Sequence, residues 1–303
     1  MVDIVPKHLL VSFALSVFIL LILPVAFSNN NDAEEAEPVS YHGGPLLGGF
    51  LRVGIAWYGP IPRVERRAIL SFFRSLNTIT PTAENIPQVA TWWNKVESYQ
   101  ESVPGAVGAP KITVKVVNQA FLQDFPYGKV VIKDFIKAMI PTATAGVPNT
   151  LTLVVASKGV TVAEMCAGSC AQHGEIDNQT YVAVGNPVEE CPECAWPFVM
   201  SNGKEGQVMM PPSGDPGADV MVKLLAGGLA GAVTNPMGDA FYSSARGNRF
   251  YEATSKCPDI FTSGPIPVDP VSGAAYNAIG DKGTKFLLPA IWDLKTNSCW
   301  TLL

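Results

Sequence analysis

The chain has 303 residues, of which 16% are charged, with 21 Lys and Arg against 26 Asp and Glu. That slight acidic balance comes without a basic cluster or an interleaved basic and aromatic stripe, which argues against nucleic acid and against polybasic attraction to a membrane.

The N-terminus reads as a targeting segment. Lys7 and His8 precede a predominantly apolar stretch from Leu9 through Phe27, and Ala26 and Ser28 supply small residues at the positions a signal peptidase reads. A signal peptide over 1–28 is expected, with cleavage after Ser28; the rival is an uncleaved signal anchor, since the run is nearly long enough to span a bilayer. The segment that follows is polar and acidic, so a disordered tail is expected over 29–40. The remaining roughly 265 residues suit one large domain, drawn here as 41–303. No second hydrophobic span stands out, so the cleaved chain is expected to be soluble and extracellular.

In chain order, Phe50 to Tyr58 is a short apolar strand ended by Gly59-Pro60. Arg63 to Leu76 carries Ile69, Leu70, Phe72, Phe73 and Leu76 at helical spacing, and Pro87 to Tyr99 places Val89, Trp92, Trp93 and Val96 on one helical face. Ile112 to Val117 reads as a strand and Val130 to Ile140 as a helix. Leu151 to Ser157 and Tyr181 to Gly185 are continuous apolar runs of strand length. Asp219 to Val233 is the most apolar helix of the segment after residue 28, stopped by Asn235-Pro236. Alternating strands and helices, then a half rich in Gly, Pro and Cys, predict an α/β to α+β fold. Its expected form is a mixed sheet with packed helices and a loop-rich, disulfide-bonded C-terminal half.

All six cysteines, Cys166, Cys170, Cys191, Cys194, Cys257 and Cys299, follow the leader. In an exported chain an even count reads as three disulfides, with the pairing left open by sequence. The competing reading is zinc, because Cys166-x3-Cys170 and Cys191-x2-Cys194 have ligand-pair spacing. Asn178-Gln179-Thr180 is a glycosylation acceptor in a polar loop, which fits the same compartment. Asn297-Ser298-Cys299 lacks the usual hydroxyl residue and is discounted.

Several strings in order resemble the EXORDIUM-like (phosphate-induced protein 1) family of plants. They are Tyr41-His42-Gly43-Gly44-Pro45, Trp57-Tyr58-Gly59, Val89-Ala90-Thr91-Trp92-Trp93, Cys166-x3-Cys170 with His173-Gly174, and Cys191-x2-Cys194-Ala195-Trp196-Pro197-Phe198. Thr234-Asn235-Pro236, Gly273-Ala274-Ala275-Tyr276-Asn277 and Lys285-Phe286-Leu287-Leu288-Pro289-Ala290 complete the set, so the resemblance runs from Tyr41 to Leu303. Ala171 departs from the glycine usual after the second cysteine. The resemblance implies an apoplastic protein linked to growth and cell expansion, with no cofactor and no established activity. The partner it leaves open is an extracellular protein or a cell-wall carbohydrate.

The Asp219 to Pro236 segment also resembles a zinc-protease helix, in which residues at i and i+4 share a face and hold the metal while an intervening Glu acts as base. Gly227, Gly228 and Gly231 occupy the matching positions, and Glu252 matches a third ligand standing alone. What this resemblance implies is a zincin-like core with a degenerate metal site, hence no catalytic residue, no metal and no enzyme. The plain alternative is that three glycines let a helix pack closely on a neighbour, at a propensity cost of about 1 kcal/mol each. Past the leader only His42 and His173 remain as imidazole bases, and no Gly-x-Ser-x-Gly elbow or phosphate-binding loop accompanies them. Trp57, Tyr58, Trp92, Trp93 and Trp196 offer a sugar platform, though the first four lie in apolar elements that favour the core, and Trp196 is the least core-like. Two functions follow as expectations: a secreted non-catalytic protein that binds a wall component or surface partner, or an extracellular hydrolase using a metal or paired carboxylates.

Overall fold

A computed structural model describes residues 37–79, 86–108, 110–201, 203, 206–245 and 249–303, with Ala245 and Arg249 described by backbone alone. The expected signal peptide and most of the expected tail lie outside the described residues. The tail boundary at 40 needs correcting: Val39 is buried and Ser40–Tyr41 form a strand, so order begins before residue 41.

A sheet covered on both faces demands strands with little polar relief, and the interior strand β1 (Phe50–Tyr58) buries every residue but Phe50 and Arg52. It lies parallel to β2 (Thr113–Leu122) on one side and to β3 (Thr150–Ala156) on the other. β5 (Gln179–Gly185) is parallel to β3, and β4 (Gln172–Ile176) closes the edge antiparallel to β5. The order across the mixed sheet is β2-β1-β3-β5-β4.

The helices α1 (Arg63–Leu76) and α2 (Val89–Glu97) fill the crossover from β1 to β2, and α3 (Lys133–Thr144) that from β2 to β3. Register divides the two faces. Ile55, Leu153 and Val182 are Cα partners across β1, β3 and β5 and point one way, while Gly54, Thr152 and Tyr181 point the other. Gly54 meets the Ala143 carbonyl of α3, so α3 covers that face. On the opposite face Val182 meets Gly228 of α4 (Pro216–Thr234), which packs beside α1.

α4 has 19 residues and buries all of them except Pro216, Lys223 and Gly227. By length and composition it is apolar enough to cross a membrane, yet its burial inside the fold makes it a core helix. The Lys223 ammonium runs out to the carbonyls of Cys194 and Trp196, which accept its hydrogen bonds. The helix starts three residues earlier than its apolar period suggests. Asp215 caps it by accepting from the Ala218 amide at 2.9 Å, and Pro216 occupies the first helical position, where a missing N–H costs nothing.

The C-terminal half is assembled from short antiparallel pieces. β6 (Phe241–Ala245) sits between Ser40–Tyr41 and β7 (Arg249–Tyr251), and β8 (Ile291–Asp293) pairs with β9 (Ser298–Trp300). Buried Asn277 knits the loops: its amide donates to the Phe261 and Leu288 carbonyls at 2.6 and 2.8 Å and its oxygen accepts from the Leu288 amide at 2.7 Å. The disulfides are Cys166–Cys191, Cys170–Cys194 and Cys257–Cys299.

Gly54 supplies a test of the close sheet–helix contact. A methyl there collides with α3 backbone, so Gly54→Ala is expected to lower unfolding free energy by about 1–3 kcal/mol in chemical denaturation. Gly264→Ala, a position with nothing within 4 Å of an added Cβ, should leave the denaturation midpoint nearly unchanged.

Candidate functional site

The glycine face of α4 is where sequence reasoning places a lost metal site. Gly231 faces His173 on β4 and Glu252 just after β7: a Cβ there would collide with His173 Nε2 and lie 3.0 Å from Glu252 Oε2. At Gly228 a Cβ would stand 2.9 Å from Val182 and 3.4 Å from Ala171, and at Gly227 it would stand 3.1 Å from the Thr254 hydroxyl. All three glycines therefore sit at close approaches, and the segment Glu252–Thr254 lies against the space their missing side chains leave.

His173 and Glu252 meet there. Burial works to raise the Glu252 carboxyl, but the His173 imidazole and the Asn235 amide outweigh it and hold the group below the ordinary carboxylate value. The carboxylate is thus ionised, so His173 Nε2–H is the donor to Oε2 at 2.7 Å, while Asn235 Nδ2 donates to Oε1 at 2.6 Å. Asn235 is itself fixed at the end of α4, its amide N–H donating to the Gly231 carbonyl at 2.7 Å and its side-chain oxygen accepting from Ala240 at 2.7 Å. Both carboxylate oxygens and one imidazole nitrogen are committed to each other or to Asn235. His173 Nδ1 is buried without a hydrogen-bond partner.

This arrangement is a structural clasp more than a reactive centre. No Ser, Thr or Cys among the described residues hydrogen-bonds to His173, so the imidazole has no nucleophile to activate. Among the described residues, the one His, Cys, Asp and Glu group at metal-ligand spacing is Cys166, Cys191 and Cys194. Their sulfurs are tied in disulfides, which removes the thiolates that zinc needs. These two bridges join the approach to β4 to the exit from β5 and close the base of that hairpin. At its tip Asp177-Asn178 forms a two-residue turn with φ of 49° and 62°, the left-handed conformation such turns require. Asn178, which opens the Asn-x-Thr string, is exposed there.

The tryptophan platform does not exist. Trp57, Trp92 and Trp93 are at most 1% exposed, Tyr58 is fully buried, and Trp196, expected to be the exception, is buried as well. His42 is exposed and stacks on Tyr242, far in sequence from any acid–base partner.

A second polar group, unseen in the sequence, lies at the carboxyl ends of the strands. Glu65 in the first turn of α1 accepts from Asn186 Nδ2 at 2.8 Å through one oxygen, and its other oxygen is buried without a partner. Burial pushes its carboxyl up to about 7, with Asn186 opposing and Asp215 adding to the rise. Asp219 accepts from the Ser213 amide and hydroxyl at 2.8 and 2.6 Å. Burial still lifts it to about 6, against those bonds and with help from Asp215.

With the geometry in hand, comparison with known proteins supplies the family. The family model described as the phosphate-induced protein 1 conserved region matches residues 39–302. The chain belongs to this family. It is 33% identical over 312 residues to Protein EXORDIUM-like 2 of Arabidopsis thaliana, covering 96% of this chain and 99% of that relative. It is 32% identical to Protein EXORDIUM of the same plant, covering 97% and 99% of the two chains. Protein PHOSPHATE-INDUCED 1 of Nicotiana tabacum is 32% identical, with 89% and 90% covered. No solved structure matches. The phosphate-induced protein 1 family is the one the order of sequence motifs points to, and the names of these relatives describe no catalytic activity.

The buried acids make the pH dependence of stability testable. Glu65 and Asp219 both have folded-state values above their unfolded ones. Their contribution is therefore fully present below about pH 4 and is lost as pH rises through about 6 for Asp219 and about 7 for Glu65. Tm should fall between about pH 4 and about pH 7, with Asp215 and Lys158 the charged groups facing Glu65 across this interval. Glu65→Gln should remove much of that fall in a series of melts.

Proposed function

We propose that this protein is a secreted, non-catalytic apoplastic member of its family that takes part in plant growth and cell expansion by binding a cell-wall component or a surface partner. Its core is read as zincin-like with the metal site erased, its functional unit as the single domain 41–303, and Asn178 as a glycan carrier. The observation carrying the non-catalytic reading is Gly231. The position where a metal helix would project a ligand has no side chain, and the residues opposite it, His173 and Glu252, hydrogen-bond to each other. Support for the zincin-like reading comes from α4 lying against β5 and the antiparallel edge strand β4, with the glycine face turned to His173.

An extracellular hydrolase is the second reading, favoured by one fact: His173 and Glu252, far apart in sequence, do converge. Their mutual pairing argues against it, because an imidazole hydrogen-bonded to a carboxylate and lacking a nucleophile or third ligand has no reaction to perform.

Elemental analysis of the secreted protein, with melts before and after chelator, separates the two. The expected result is no stoichiometric metal and an unchanged Tm. One zinc per chain with a chelator-sensitive melt, or turnover of a wall polymer or peptide that disappears in Glu252→Gln, would sink the non-catalytic reading.

A further inference from the structure

The two bridges at the base of the β4–β5 hairpin lie side by side. The sulfurs of Cys166, Cys191 and Cys194 all stand within 4.8 Å of one another, while Cys170 Sγ falls outside that group. Cys194 Sγ is thus a near neighbour of both sulfurs of a bridge it does not belong to. Cys166 is exposed, whereas its partner Cys191 and the adjacent Cys194 are each 1% exposed.

Cys191 and Cys194 are also the ends of one turn, in which the Cys194 amide donates to the Cys191 carbonyl at 2.9 Å. A turn closed in that way holds its end Cα atoms within about 7 Å, and a disulfide spans about 4.4–6.8 Å. Cys191-Pro192-Glu193-Cys194 can therefore take a bridge of its own without a change of fold. The third bridge differs. Cys257 is buried, and among the described residues no third cysteine groups with Cys257 and Cys299.

We propose that Cys166 is an exchange site for a small thiol, and that exchange there is relayed inward to form a Cys191–Cys194 bridge; this inference is independent of the wall-binding reading above. The thiolate of the small molecule attacks Cys166 Sγ, on the exposed residue of the bridge. A mixed disulfide forms there, the Cys166–Cys191 bond breaks, and Cys191 leaves as a thiolate. That thiolate attacks the neighbouring Cys194 Sγ. The Cys191–Cys194 bond forms, the Cys170–Cys194 bond breaks, and Cys170 leaves with the electron pair and takes up the proton that the small thiol gave up. Each step exchanges one disulfide for another, so no oxidant or reductant is consumed. Cys170 is four residues from Cys166, and its thiolate can attack the mixed disulfide in turn, forming Cys166–Cys170 and releasing the small thiol. Either product has lost both links between the approach to β4 and the exit from β5. The edge strand then keeps its ladder to β5 and the His173–Glu252 bond but no covalent tie.

Reduced glutathione is the probe. The purified, fully oxidised protein is incubated with it under native conditions, trapped with N-ethylmaleimide at intervals and mapped by mass spectrometry. Glu-specific cleavage at Glu175 and Glu189 separates the two cysteine pairs. The expected products carry a Cys191–Cys194 bridge, either with glutathione on Cys166 and Cys170 alkylated or with Cys166–Cys170 formed. Cys257–Cys299 should exchange at least about tenfold more slowly. Glutathione on Cys166 with Cys191 alkylated and Cys170–Cys194 intact overturns the relay. No exchange at Cys166, or exchange of Cys257–Cys299 at the same rate, overturns the site, and the paired bridges are then structural only. The parent protein suffices, so the result does not depend on the folding of a variant.

Discussion

Everything on the β4–β5 side of the sheet depends on a helix that must be buried all round. α4 has no solvent stripe to set its rotation, so it is fixed by contacts at close range. Gly228 admits the Val182 side chain, Gly231 admits His173 and Glu252, and Lys223 reaches the cysteine-loop carbonyls. Each glycine costs about 1 kcal/mol of helix propensity against alanine. The offset lies in apolar area removed from water, at about 25 cal/mol per Å², and in dispersion contacts that a methyl would have pushed apart. The same glycines that make close packing possible also leave the helix without ligating side chains. Close packing and the lack of ligating side chains on this face are two results of one glycine pattern.

Much of this architecture was legible in the sequence where local pattern and tertiary role agree. β1 and α1 have the bounds expected from an apolar run ended by Gly-Pro and from amphipathic spacing. The helix expected over 130–140 instead runs from Lys133 to Thr144, through Pro141. A proline near a helix end removes one bond, and here the Pro141 carbonyl accepts from both Ala145 and Gly146 to close the last turn. β2 is longer than its apolar portion because its second half alternates as an edge strand should.

The elements not legible in the sequence share a cause. β4 is Gln-His-Gly-Glu-Ile, polar and interrupted by glycine, and it becomes a strand only because β5 and α4 hold it. The Asp177-Asn178 turn carries the residue types of a hairpin turn, but the same Asn-x-Thr string reads equally as a glycosylation acceptor. The His173–Glu252 bond joins residues 79 apart, and the Glu65–Asn186 bond joins residues 121 apart. No spacing rule reaches that far. The sugar platform sought among tryptophans failed for the same reason in reverse, since a tryptophan in an apolar element is core before it is anything else.

The two rims of the main sheet are fastened very differently. β4 is tied at its base by two disulfides, closed at its tip by a tight turn and pinned midway by the Glu252 carboxylate. Among the described residues β2 has no disulfide or ion pair at its outer margin and exposes Val117 and Phe121; what guards it is Lys115, the Asn77 side chain paired with the Val114 backbone, Arg66 over the Phe121 ring, and an irregularity beside Val53 and Gly54. Thermal breathing of the sheet must therefore begin at β2. That rim governs how readily the folded chain opens to proteases and to self-association.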